Sequence, residues 1–219
     1  MTTREQQVER ILKAAPVVPV LIIEDAKEAV PLARALVAGG LTAIEITLRT
    51  DAAYAALEWV AGEVEGANPG VGTVLHKKQL DLAEKAGAKF AVSPGASPYL
   101  LDAAEDHAVP LLPGAATAGE VMSLLERGYV FQKFFPAVPA GGIAYLKALQ
   151  SPLPAVQFCP TGGITAETAP DFLALANVIC VGGSWVAPGD AVASGDWDRV
   201  EALARTAAGL AREAHNGSL

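Results

Sequence analysis

Two ionisable residues stand alone inside apolar runs of strand length. Lys133 lies within residues 130–136, among three phenylalanines, and Glu45 lies within residues 43–48. A charged side chain in such a strand must be paired, extend to solvent or lose its charge, because burial disfavours the charged form. An uncharged amine can attack a ketone and form a Schiff base, and a nearby carboxylate can move protons. From position alone, a structural Glu–Lys ion pair is the alternative.

The alternation of side chains along a strand decides whether the two residues can meet. Lys133 shares a face with Phe131 and Phe135, and Glu45 shares a face with Thr47. If both faces point into the interior of one barrel, we expect the amine and the carboxylate to meet near its open end.

The elements that would position them follow a regular alternation. Strands are predicted at residues 17–23, 43–48, 71–74, 90–93, 109–112, 130–136, 156–159 and 178–181, each followed by a helical pattern. Eight such units in 219 residues predict an α/β fold with one domain over residues 1–219, a (β/α)8 TIM barrel, with a leading helix over residues 1–15. An open doubly wound sheet shares the alternation, but no Gly-x-Gly-x-x-Gly turn follows the first strand.

Local signals refine the helix boundaries. Thr117 and Glu120 have the spacing of a capping box, and Thr50 is the predicted cap of the helix after the second strand. Thr2 and Thr3 have similar cap spacing before the leading helix. Pro31 predicts a kink or a late start in its helix.

Glycine pairs end the last two predicted strands, where a barrel of this kind places binding groups. The runs are Thr161-Gly162-Gly163 and Gly182-Gly183-Ser184. Glycine lets the backbone approach an anion closely enough for peptide N–H groups to bind it. The pattern favours a phosphate site, and tight strand-to-helix turns are the alternative.

Arg49 follows the second predicted strand, and Thr73 ends the third. A guanidinium suits a carboxylate, and a neighbouring hydroxyl adds a donor. A surface arginine is the alternative that position leaves open.

Composition excludes several classes of function. The net charge is −8 without a basic stripe, which argues against nucleic acid and anionic membranes as partners. No apolar run is long enough to span a bilayer, and the first residues lack a hydrophobic signal core, so we expect a cytoplasmic protein. Cys159 and Cys180 lie in apolar runs and are expected to be buried, reduced thiols; a bridge between them is the alternative. The 3 histidines are scattered and predict no metal site.

The whole chain resembles the bacterial 2-keto-3-deoxy-6-phosphogluconate (KDPG) and 4-hydroxy-2-oxoglutarate (KHG) aldolases. The segments that carry the resemblance are PVVPV (16–20), LVAGG (36–40), IEITLRT (44–50), VGTVL (71–75), SPG (93–95), KFFPA (133–137), FCPTGGI (158–164) and VGGSW (181–185). The resemblance implies a class I aldolase that needs no metal or other cofactor and assembles as a homotrimer.

The resemblance also implies a role for each site residue. Lys133 matches the Schiff-base lysine, and Glu45 matches the acid–base glutamate. The matches to groups that hold the pyruvate carboxylate or line the pyruvyl pocket are Arg49, Thr73, Pro94 and Phe135. The matches to the phosphate end are Thr161, Gly162, Gly163, Gly183 and Ser184.

The expected reaction is reversible cleavage of 2-keto-3-deoxy-6-phosphogluconate to pyruvate and glyceraldehyde 3-phosphate, as in the Entner–Doudoroff pathway. The sequence leaves 4-hydroxy-2-oxoglutarate and the galactonate epimer open as substrates. Two other functions stay as alternatives: a metal-free, phosphate-binding barrel isomerase or synthase, and a noncatalytic sugar-phosphate sensor.

Overall fold

Helices and strands alternate along the chain in the computed structural model, which describes residues 3–216, with side chains described for residues 4–210. The predicted cap at Thr2 and Thr3 lies outside the described side chains. The helices are α1 (Thr3–Leu12), α2 (Ala29–Ala38), α3 (Ala53–Glu63), α4 (Lys77–Lys85), α5 (Pro98–Glu105), α6 (Ala118–Glu126), α7 (Gly142–Gln150), α8 (Ala169–Leu173), α9 (Gly189–Ser194) and α10 (Trp197–Asn216), and a 3-10 turn spans Ala26–Glu28.

The strands are parallel and form two curled sheets. They are β1 (Val17–Leu21), β2 (Ala43–Thr47), β3 (Asn68–Gly72), β4 (Phe90–Val92), β5 (Leu111–Leu112), β6 (Gly114–Ala115), β7 (Phe131–Phe134), β8 (Gln157–Pro160) and β9 (Val181–Gly183). One sheet has the order β5-β4-β3-β2-β1-β9, and the other has the order β6-β7-β8. The α/β alternation predicted from the sequence is therefore confirmed.

The two sheets are joined at both edges, but not by continuous ladders. On one side, β5 lies within the fifth predicted strand, and β6 follows beyond its predicted end at residue 112. Pro113 lies between β5 and β6 and has no N–H to donate to a ladder. On the other side, single parallel bridges link Phe158 to Val178 and Thr161 to Gly182. The hydrogen-bonded ladders thus give a six-stranded and a three-stranded sheet in place of the single ring of eight predicted strands.

Several local predictions hold, and one is wrong. The capping box of Thr117 and Glu120 is present, with both reciprocal hydrogen bonds. Pro31 is tolerated because the 3-10 turn delays the start of α2 to Ala29, which places the proline in the first helical turn. Thr50 does not cap α3, because its hydroxyl instead donates to the carbonyl of Ile23 at 2.6 Å.

Apolar side chains form two cores on opposite faces of the strands. The larger core packs the helices against the outer face of the sheets. The smaller lies on the inner face, where Val92, Leu112 and Phe131 meet, and Val8 and Leu12 of α1 close it from one end. No helix among residues 3–216 combines the length and apolarity needed to cross a membrane.

Candidate active site

Lys133 and Glu45 meet inside the curve of the sheets. Lys133 is the third residue of β7 and Glu45 the third of β2, and Nζ donates a hydrogen bond to Oε1 at 3.2 Å. The two side chains are only 5% and 4% exposed. Both charges are thus withdrawn from bulk water and face one another, as the alternation of side chains predicts.

Phe135 lies directly beside the amine. Lys133 Nζ is 5.2 Å from the centroid of the Phe135 ring, within the range of a cation–π contact. The ring is half-buried and also lines the large cavity described below. It therefore separates the buried amine from that cavity.

Pro94 lies next to the strand that neighbours Lys133. Gly114 of β6 is the register partner of Lys133. A Cβ on Gly114 would overlap the carbonyl group of Pro94, so the turn after β4 packs directly on β6. The half-buried Pro94 thus lies close to the strand that pairs with Lys133.

Arg49 and Thr73 form a second polar pair after β2 and β3. The guanidinium Nε of Arg49 donates to Thr73 Oγ1 at 3.3 Å, and Arg49 is exposed. Thr73 has a φ of 64°, the one left-handed residue other than glycine in the described range. A β-branched residue is strained in that region, and such strain concentrates at functional sites.

The two glycine runs line a cavity of about 490 Å³ at the carboxyl ends of the strands. Gly162 and Gly163 have φ values of 107° and 80°, which only glycine adopts readily. A Cβ on Gly182 would overlap Thr161 Oγ1, so the glycine makes room for the buried threonine hydroxyl. The predicted residues that line this cavity are Arg49, Phe135, Thr161, Gly162, Gly163, Gly183 and Ser184.

The predicted residues therefore form one continuous site, with some residues on the cavity surface and others buried below it. The cavity wall holds the phosphate-end residues with Arg49 and Phe135, whereas Lys133 and Glu45 lie beneath the wall. Thr73 joins the site through its bond to Arg49, and Pro94 through its packing near β6. A carboxylate near Arg49 and a phosphate near the glycine runs would place the body of one substrate across Phe135.

Sequence reasoning missed the apolar wall of the cavity. Ile22 and Trp185 both line it, and Ile22 is 52% exposed although it is a large apolar residue. A Cβ on Gly183 would overlap the indole ring of Trp185, so the indole packs directly against the glycine. The position of Trp185 two residues after a glycine pair was the available signal.

The two cysteines are free and buried. A hydrogen bond between the protonated Cys180 thiol and Cys159, together with burial, raises the pKa of Cys180 well above its usual range. The Cys180 thiol therefore stays protonated and unreactive in the folded protein. Within the described part of the chain, no three His, Cys, Asp or Glu side chains are grouped to hold a metal ion.

Comparison with known proteins identifies relatives along almost the whole chain. A sequence model of the family described as "KDPG and KHG aldolase" matches residues 8–203. The 2-dehydro-3-deoxy-phosphogluconate aldolase of Pseudoalteromonas atlantica is 50% identical over 197 residues, which are 90% of this chain and 92% of that protein. The KHG/KDPG aldolase of Escherichia coli is 48% identical over 199 residues, 91% of this chain and 93% of the relative.

Solved structures agree with the sequence comparison. KDPG aldolase from Legionella pneumophila, with pyruvate captured at low pH as a covalent carbinolamine intermediate, superposes with a TM-score of 0.89 at 42% identity, covering 91% of this chain and 97% of that one. The Zymomonas mobilis enzyme with 3-phosphoglycerate gives a TM-score of 0.89 at 45% identity, covering 94% and 97%. The chain belongs to the KDPG and KHG aldolase family.

Proposed function

We propose that this chain is a class I aldolase that cleaves 2-keto-3-deoxy-6-phosphogluconate reversibly to pyruvate and D-glyceraldehyde 3-phosphate. The observation that carries the proposal is the buried Lys133 amine, 3.2 Å from the Glu45 carboxylate, beneath a cavity with glycine-rich walls. The family and the named activities of its members support the same reaction. The Legionella relative, which holds pyruvate as a covalent carbinolamine, supports a lysine adduct.

Lys133 begins the reaction as a nucleophile. Once its proton has passed to Glu45 or to water, Nζ adds to the C2 ketone, and loss of water gives a protonated imine. Glu45, directly or through a water, accepts the proton of the C4 hydroxyl. The C3–C4 bond breaks, its electrons move into the imine to give an enamine, and the aldehyde leaves. Protonation at C3 and hydrolysis release pyruvate and restore the amine.

Binding groups on both sides of the amine orient the substrate. Arg49 and Thr73 hold the carboxylate, which sets C2 beside Lys133, and Phe135 and Pro94 form the walls of the pyruvyl pocket. The phosphate binds to the glycine runs through backbone N–H groups and the hydroxyls of Thr161 and Ser184. Phosphate binding so far from the reacting bond can be used to orient that bond.

The same proposal includes the finer architecture and the setting. The two sheets form one closed (β/α)8 barrel whose fifth strand is interrupted at Pro113. The bridges from Phe158 to Val178 and from Thr161 to Gly182 support this closure. The protein acts as a homotrimer in the cytoplasm, a proposal that rests on family membership and on exposed apolar side chains such as Tyr99 and Met122.

The test is pyruvate release from three substrates measured side by side: the gluconate form, its galactonate epimer and 4-hydroxy-2-oxoglutarate. We expect the highest kcat/KM on the gluconate form, since the cavity offers a phosphate end. Slower turnover of 4-hydroxy-2-oxoglutarate is also expected, in line with relatives named KHG/KDPG aldolase. Ligand-induced stabilisation without pyruvate release from any of the three would identify a sensor, and the proposal would be wrong.

A further inference from the structure

The Glu45 carboxylate rests against a residue that has no side chain. A Cβ built on Gly72 would overlap Glu45 Oε1 and would lie 2.7 Å from Cγ and 2.8 Å from Cδ. Oε1 is the same oxygen that accepts the hydrogen bond from Lys133 Nζ. The bare Cα of Gly72 therefore forms the wall behind the oxygen that faces the amine.

Strand register explains why Gly72 touches a side chain two residues away along the strand. Glu45 pairs with Gly70, and Thr47 pairs with Gly72, in the parallel ladder of β2 and β3. The Glu45 side chain leans along its strand toward the carboxyl ends, so its carboxylate lies over Gly72 rather than over its own register partner. The φ of Gly72 is outside the left-handed region, so backbone conformation does not require glycine there.

Steric contact matters here because the carboxylate has few other restraints. Among the described residues, Lys133 is the one hydrogen-bond donor to Glu45. A single hydrogen bond leaves the carboxyl plane free to turn about it. Gly72 lies against Oε1, Cγ and Cδ of the same side chain, so its backbone limits how far the carboxyl group can turn.

We propose that Gly72 is a positioning residue for the aldol cleavage, which sets the Glu45 carboxylate between the Lys133 amine and the substrate hydroxyl. The inference rests on the proposed function for its catalytic meaning. A methyl group at position 72 must displace Oε1, and a displacement of about 1 Å at a proton-transfer group is enough to cost about 10²-fold in rate. The pyruvate-binding groups are not in this contact.

The chain offers a matched control two residues away. Gly70 lies on the same strand and the same face, and a Cβ there would overlap the ring of Phe90, a buried residue of the inner core. Gly70→Ala and Gly72→Ala thus add the same methyl group against neighbours of comparable closeness. The neighbour of position 72 is the acid–base group Glu45, whereas the neighbour of position 70 is the core residue Phe90.

The experiment is a double-variant cycle that combines Gly72→Ala with Glu45→Ala. We expect Gly72→Ala to lower kcat by about 10²-fold with KM changed less than about threefold, and to flatten or shift the pH profile of kcat. Gly70→Ala should keep kcat within about twofold per folded enzyme.

Each of the two glycine variants should lower Tm by about 5 °C through overpacking. In the Glu45→Ala background, the Tm loss from Gly72→Ala should fall below about 1 °C, because the overlapped carboxylate is gone.

The opposite outcomes overturn the inference. If Gly72→Ala keeps kcat within about twofold of the parent enzyme, or if its Tm loss persists without Glu45, then Gly72 does not act through the carboxylate. Should Gly72→Ala fail to fold, folding of the Gly72→Ala/Glu45→Ala variant supports the inference, and failure of that variant refutes it. An inactive parent enzyme would contradict the proposed function alone, since the Tm cycle judges the contact without turnover.

Discussion

Replacing Lys133 with methionine tests whether the interior pair carries charge. The side chains are 5% and 4% exposed and their atoms are 3.2 Å apart. At an effective dielectric constant of about 20, two unit charges at that separation attract by about 5 kcal/mol. Methionine fills much the same space as lysine but leaves the Glu45 carboxylate buried without its donor. We expect Lys133→Met to lower the free energy of unfolding by about 3–5 kcal/mol.

The assay is urea unfolding followed by circular dichroism near neutral pH, with Tm as a second measure. The expected loss corresponds to a Tm lower by about 10 °C for a domain of this size. Two controls are needed: one removes both members of the buried pair, and the other breaks an ion pair that is shorter but exposed. The double variant Lys133→Met/Glu45→Leu should regain most of the stability, because apolar residues of similar volume replace a buried ion pair at little cost. Lys77→Met breaks the shorter but exposed pair with Asp81, 2.6 Å apart, and should leave the unfolding midpoint unchanged.

The reasoning fails if Lys133→Met unfolds at the same urea concentration as the parent protein. It also fails if the double variant is no more stable than either single variant. Either result would mean that the carboxylate at the centre of the fold does not depend on the amine.

Three further predictions concern other parts of the molecule. Thr73→Gly should relieve left-handed strain and raise the unfolding free energy by about 1 kcal/mol, while KM for KDPG rises about tenfold because Arg49 loses its hydroxyl partner. Gly183→Ala, which pushes on the Trp185 ring, should raise KM for KDPG about tenfold and leave KM for the unphosphorylated 4-hydroxy-2-oxoglutarate unchanged. The Cys180 thiol should resist a disulfide reagent at pH values near 8 and react quickly in urea, because burial and a raised pKa withhold the reactive thiolate in the folded chain and unfolding restores it.

The chemistry of the site could be predicted because its central residues break a strong local pattern. A charged residue within a fully apolar strand is rare enough to draw attention, and the two-residue period gives its face. Lys133 and Glu45 both satisfied that test, and the structure places them in hydrogen-bond contact. The position of the glycine runs at the carboxyl ends of strands could also be predicted, since they follow strands in a regular alternation.

The remaining features depend on contacts between distant segments and leave little trace in the local sequence. In the sequence, Gly72 is simply one residue of a predicted strand. Its contact with the Glu45 carboxylate arises only because the Glu45 side chain extends toward it from the neighbouring strand. The left-handed Thr73 ends β3 earlier than the predicted strand. The fifth strand was predicted to end at residue 112, so β6 was missed; it follows Pro113, which cannot donate to the ladder that its neighbours form.

Boundaries near the last strand shifted for a related reason. The apolar run at residues 178–181 predicts a strand, but β9 comprises Val181–Gly183 and includes both glycines. Val178 forms only an isolated bridge to Phe158. Parallel pairing with β1 at Val17 decides where the strand begins, and that partner is far away in the sequence.

Trapping with pyruvate and borohydride tests the central claim most directly, since hydride reduces a protonated imine to a stable secondary amine. Peptide mass spectrometry should find one pyruvyl adduct, on Lys133, that requires both pyruvate and borohydride and is absent from Lys133→Met. No adduct at saturating pyruvate, or an adduct on another lysine, would contradict the assignment of Lys133 as the Schiff-base residue.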